Sequence, residues 1–215
     1  MGPLVRRHVH AGAGLIILGV VQFVLAMIVV QWRYAGYSDL GNYVSDLGGP
    51  HSPWAAVFND SIRLLAVLAF VGVLLIRSAF APRTSSRVGL GLLGLALIGA
   101  FLVGQFPEGS PQFGGNIHDY VSDLTFIASA LALLILPFGM FRDTRWDGFR
   151  FYTFLSGLIT AIAIVLYDQG LDGPLGVGGM ERLIIAPVLL WGFVIGVHLL
   201  RLRAYAPKFP RAVPA

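Results

Sequence analysis

Read for hydrophobicity alone, the chain alternates long apolar runs with short polar joints. Six runs, at 11–30, 54–76, 88–104, 120–141, 149–167 and 183–200, carry few charges. Each is close to the ~20 residues a helix needs to cross ~30 Å of hydrocarbon. A transmembrane barrel would instead show alternating strands of ~10 residues, and none can be read here. The pattern predicts an all-α fold, an integral membrane bundle of six transmembrane helices. The six runs fill most of residues 1–215, so a single transmembrane domain is expected.

The joints divide into two kinds. Those between runs two and three and between runs four and five are short and basic. The other three, at 31–53, 105–117 and 168–180, are longer, rich in Gly and Pro, and hold acids. Within the first, Ser38 can cap a short helix to Leu47 that Gly48-Gly49-Pro50 would stop. Leu40, Tyr43 and Leu47 would then form an apolar stripe on it. Asn116 is placed to cap the fourth span, and Pro207 and Pro210 end any helical tendency in the tail.

Composition fits this picture. The chain is 56% hydrophobic and 12% charged, with a mean hydropathy of +0.77. The pI near 9.8 would suit a nucleic-acid partner, but the location of charge excludes that reading. Of fifteen Lys and Arg, twelve fall at the two ends of the chain or around the two basic joints. Basic residues near span ends mark the cytoplasmic side, so both termini are expected there, in the cell membrane. Nine of the eleven acids lie at the opposite side. Insertion rules do not explain that bias, because Asp and Glu contribute little to topology. With no cysteine, disulfides and thiolate chemistry are excluded. The first run is longer than a signal-peptide core and no small-x-small site follows it, so it is read as a retained span.

Three polar groupings interrupt the apolar pattern. Tyr43-Val44-Ser45-Asp46-Leu47 returns letter for letter as Tyr120-Val121-Ser122-Asp123-Leu124, and a further Ser-Asp-Leu stands at 38–40. At the start of the fourth span, His118 and Ser122 stack at i, i+4, as do Asp119 and Asp123. All four share an arc of about 140°. Histidine, serine and carboxylates together could act as acid, base or nucleophile, or hold a divalent metal through His118, Asp119 and Asp123. Acids in a first turn also simply stabilise a helix. In the second span, Asn59, Asp60 and Arg63 form the next group. An Arg inside the bilayer costs ~2.5 kcal/mol or more unless paired; Asp60 and Asn59 are its natural partners. Arg63 is thus either half of a structural pair or a receptor for an anion. Glu181-Arg182 opens the last span after Gly176-Val177-Gly178-Gly179, where Arg182 is an interfacial anchor or an anion contact. Haem is not expected, since His10 and His198 have no matching second pair.

In their order and their placement at helix ends, several of these features resemble the domain-of-unknown-function family 998, six-helix bacterial and archaeal membrane proteins. They are Ser45-Asp46-Leu47-Gly48 after the first span, Pro53 with Phe58-Asn59, Phe106-Pro107 after the third, His118-x-x-x-Ser122 and Arg182. The resemblance implies the six-helix architecture and gives weight to Ser45, Asn59, His118, Ser122 and Arg182. It implies no reaction.

Two functions follow as expectations. The first is binding of a membrane lipid or other amphiphile in an outward-facing polar pocket between the second, fourth and sixth spans. Ser45, Asp46, Asn59, Asp60, Arg63 and Arg182 would line it, with the arginines meeting an anion. The alternative is an intramembrane hydrolase or transferase acting on a lipid or isoprenoid, metal-dependent or not, with His118, Asp119, Ser122 and Asp123 as its catalytic group. A transporter fits less well, because the first, third and fifth spans carry almost no polar residues through the bilayer.

Overall fold

The computed structural model describes residues 3–109 and 117–202. Six helices carry the chain: α1 (Pro3–Arg33), α2 (Ala55–Ile76), α3 (Thr84–Gln105), α4 (Ile117–Met140), α5 (Phe149–Asp168) and α6 (Gly176–Arg201). All six are long and apolar enough to cross a membrane. No strand occurs among the described residues.

The helices stand antiparallel in a ring that follows the chain. Each packs against the one before and the one after it, and α6 returns to α1. The chain order thus becomes the spatial order, as short joints between antiparallel helices require. The start of α1 and the end of α6 share one end of the ring with the 77–83 and 141–148 joints. The other three joints lie at the opposite end, called here the loop end.

Small residues set the seams. A Cβ on Gly72 would stand 2.6 Å from Ile16 Cγ1 and 2.8 Å from the Gly12 carbonyl, so α1 and α2 touch backbone to backbone. Gly104 meets Asn59 and Ile62 across α2–α3, and Gly157 meets Leu133 across α4–α5. Gly192 and Gly196 take Val20 and Ile17 of α1. Close approach of this kind is how helices gain packing energy where hydrocarbon offers no hydrophobic drive.

The termini end of the ring is plugged. Trp146, Met140, Leu136, Ile76 and Leu199 are fully buried there. Trp146 stacks on Phe80 with ring centroids 4.8 Å apart. Arg145 and Asp143 form a buried ion pair at 2.6 Å. The Arg145 guanidinium also donates to the Ala79 carbonyl at 2.7 Å, and its own carbonyl accepts from His198 Nε2 at 3.0 Å. One residue therefore joins both joints and α6, through its side chain and its carbonyl, and His198 is a packing residue.

Two expectations about elements need correction. α1 starts eight residues before its apolar run and α6 seven before its own, because good helix formers extend a helix into the polar boundary and the first joint supports the start of α6. More consequentially, no helix forms over 38–47. Turns occupy 39–41, and only a 3₁₀ turn at Ser45–Gly48 follows. Ser38 Oγ does accept from Gly41 N–H at 3.1 Å, as a cap would. But Asn42 Oδ1 takes Ser38 N–H at 3.0 Å and Asp46 Oδ2 takes Tyr43 N–H at 2.9 Å. These side chains compete with the i→i−4 ladder and win. Leu40 is accordingly half-exposed while Leu47 is fully buried, so the two share no stripe. Asn116, Pro207 and Pro210 lie outside the described residues.

The α1–α2 seam gives a test. Gly72→Leu should destabilise the protein by about 1–3 kcal/mol, the usual cost of overpacking. Gly91→Leu, at a position with open space around it, should leave stability nearly unchanged. Thermal unfolding of both variants in lipid nanodiscs reads the difference; equal melting points would remove the seam's claimed tightness.

Candidate functional site

The ring encloses a cavity of about 160 Å³ bounded by α1, α2, α3, α4 and α6, with Val44 and Ser45 of the first joint at one end. Along α6 it extends from Glu181 to Trp191, roughly 15 Å at 1.5 Å per residue. Its wall is apolar over nearly that whole length, through Ile16, Val20, Leu65, Leu93, Ala96 and Val188 among others. Thr125 and Ser129 face it too, but their hydroxyls donate back to the Val121 and Phe126 carbonyls of their own helix. The remaining polar groups, Ser45, His118, Ser122 and Glu181, are gathered at the loop end.

The local sequence explains each of these. On α4, Val121, Thr125 and Ser129 mark the inward stripe, and His118 and Ser122 fall on it. Asp119 and Asp123, about 100° further round, are exposed with Tyr120. The expected four-residue cluster is thus divided between inside and outside. His118 is buried, and its Nδ1 donates to the Phe106 carbonyl at 2.8 Å. Neutral imidazole in that tautomer keeps Nε2 as an acceptor. Among the described residues, no three or more His, Asp or Glu come together as a metal site needs.

The first copy of the repeated phrase forms the roof. Val44 N–H donates to Glu181 Oε2 at 2.6 Å across the mouth, and the Ser45 N–H also reaches that carboxylate. Ser45 Oγ donates to Glu108 Oε2. Asp46 folds back on Tyr43 and Asn42. Leu47 is fully buried. The Tyr43 ring meets Tyr167 edge-on, centroids 6.2 Å apart. The second copy is helical, with Tyr120 exposed and Ser122 inward. The same five letters serve two conformations.

The other sequence candidates hold the frame. Asn59 Nδ2, buried, donates to the Gly48 carbonyl at 2.9 Å. Arg63 pairs with Asp60 and donates to Gly104 O at 3.1 Å and Gln105 Oε1 at 3.3 Å, on the far side of α2 from the cavity. Arg182 Nη1 donates to the carbonyls of Asp39 at 2.7 Å and Gly178 at 3.0 Å; its Nη2 donates to Tyr37 Oη at 2.8 Å and Asp39 Oδ1 at 3.1 Å. Tyr37 Oη in turn donates to the Tyr43 carbonyl at 2.8 Å. Burial pushes the Tyr37 phenol up to about 12, against the pull of the Arg182 guanidinium. The glycines before Arg182 serve the same contact: a Cβ on Gly178 would stand 2.0 Å from the Asn42 carbonyl.

Glu181 was not among the site candidates of the sequence. The signal for it was the inward stripe of α6: Ile184, Ile185 and Val188 stand at i+3, i+4 and i+7 from it, all on the cavity wall.

With this geometry in hand, comparison with known proteins places the chain. The family described as a protein of unknown function, DUF998, matches residues 17–198, from the middle of α1 to the last turn of α6. The chain belongs to the DUF998 family. No curated protein and no solved structure gives a significant match. The DUF998 match spans every element that bounds the cavity, including the roof.

In this DUF998 protein, Arg182 holds the roof by three hydrogen bonds, to Tyr37 Oη, Asp39 O and Asp39 Oδ1. Arg182→Ala should therefore increase amide hydrogen exchange across residues 37–48 by about tenfold, since a hydrogen bond to a charged group is worth ~1.5–3 kcal/mol and these are only partly shielded from water. Exchange within α3 should not change. A roof as protected as in the wild type would refute that role for Arg182.

Proposed function

We propose that the protein binds an amphiphile, such as a membrane lipid, inside the ring. The headgroup sits at Ser45, His118, Ser122 and Glu181, and the tail lies along the apolar wall toward Trp191. The observation that carries this reading is the confinement of the polar lining, apart from Thr125 and Ser129 whose hydroxyls bond their own helix, to one end of an otherwise apolar cavity. Water gains little in such a space, since the wall offers it few partners, whereas a molecule polar at one end matches both parts. Asp46, Asn59, Asp60, Arg63 and Arg182 act here indirectly, by fixing the roof and the α2–α3 edge. The basic residues around the termini end support an orientation with that end cytoplasmic and the loop end outside.

A second reading has one specific observation in its favour. The bond from His118 Nδ1 to Phe106 leaves Nε2 basic, on the same inward stripe as Ser122. A histidine so oriented can serve as general base toward a hydroxyl or water, which suits hydrolysis or transfer on a bound lipid.

Trp191 at the deep end supplies a test of the first reading. In nanodiscs, ω-bromododecanol should quench tryptophan fluorescence saturably in the wild type. The saturable part should vanish in Trp191→Phe, and Ala96→Phe, which fills the wall, should weaken it at least about tenfold. Quenching that never saturates, or that ignores both substitutions, would sink the proposal. Turnover of a lipid ester by the wild type that His118→Ala abolishes would promote the second reading.

A further inference from the structure

Glu181 is nine-tenths buried, with 8% of its surface exposed, and faces the cavity. A carboxylate in such surroundings is costly unless a positive charge or several hydrogen bonds compensate it. It has the Val44 and Ser45 amides. Among the described residues it forms no ion pair. Its neighbour Arg182 is directed to Asp39, Tyr37 and the Gly178 carbonyl. The other arginines near this end also face elsewhere: Arg63 to Asp60, and Arg33 over the Trp54 ring. Glu108, tied to Ser45, adds a second carboxylate close enough to act on the first. Of the groups that line the polar end, then, Glu181 of α6 is the acid, and Ser45, His118 and Ser122 offer further acceptors. No Arg or Lys lines it, although Arg182 stands near enough to act on Glu181 from outside the cavity.

We infer that the occupant of this cavity is a long-chain amine, with Glu181 as the counter-ion of its ammonium group. This rests on the cavity being an amphiphile site, and it adds the headgroup's chemistry. A primary ammonium offers three N–H donors. The polar end presents three acceptors for them: the second Glu181 oxygen, Ser122 Oγ and His118 Nε2. A phosphate or carboxylate headgroup meets the opposite, the Glu181 carboxyl with no guanidinium or ammonium among the residues that line the cavity. The arginines expected from the sequence to receive an anion are engaged with the protein itself.

The test is competition against ω-bromododecanol at neutral pH in nanodiscs of zwitterionic lipid, with partition into empty nanodiscs subtracted. The competitors are dodecylamine, dodecanol and dodecanoate. Dodecylamine should displace the probe at least about tenfold more tightly than dodecanol, with dodecanoate weakest. Glu181→Gln, which keeps an oxygen for the Val44 amide, should bring amine and alcohol to parity. Equal binding of amine and alcohol to the wild type overturns the amine assignment while the cavity reading stands. So does an amine preference that survives Glu181→Gln. If the probe itself shows no saturable binding, both fall together. Should Glu181→Gln not fold, the wild-type ranking of the three competitors still decides.

Discussion

A loop pressed against the mouth of an apolar bundle has main-chain N–H groups that water reaches poorly, and each needs an acceptor. For the first joint of this protein that acceptor is the carboxylate of Glu181, on the last helix of the ring. Much else depends on the bond. It fixes Val44 and Ser45 over the cavity, presents Ser45 to Glu108, and sets Leu47 into the core. It also brings the joint down onto Gly178, where any side chain would collide with it. The neighbouring Arg182 closes the same joint from outside, so two consecutive residues of α6 grip one loop by its donors and by its acceptors.

That division of labour resolves the repeated acidic phrase. In the first copy the backbone does the binding, and Asp46 spends its charge on Tyr43 and Asn42 to keep the turn open for Glu181. In the second copy the helix consumes the backbone groups, and only the side chains remain to act; Ser122 goes inward and Asp123 outward. Identical letters acquire different roles because one copy begins a helix and the other is prevented from forming one.

The six helices were legible in the sequence because hydrocarbon imposes a minimum length and excludes charge, and both constraints are visible in single letters. The Asp60–Arg63 pair was legible for the same reason, being local in sequence. What was not legible depends on contacts between distant residues. The first joint was expected to be helical because its caps and spacing allow it; Asn42 and Asp46 decide otherwise only once α6 holds the loop down. The four polar residues of α4 were expected to act together because 140° is a narrow arc, yet the boundary between interior and exterior cuts through it. Glu181 was read from the sequence only together with Arg182, as the pair that opens the last span, and not as a site residue; what points to it is the periodicity of the helix that carries it. Arg182 drew attention as a charge, whereas its task is to join a loop.

The ring follows the order of the chain, and its last member carries the residues that secure the roof. During synthesis α1 to α5 reach the membrane before α6 does. Until then α1 and α5 each have one open flank, the first joint has neither its carboxylate nor its guanidinium, and the cavity is a groove open on one side. Arrival of α6 closes the ring and seats the roof in one event. Completion of the ring therefore waits on its C-terminal helix, the same helix that carries both residues holding the first joint.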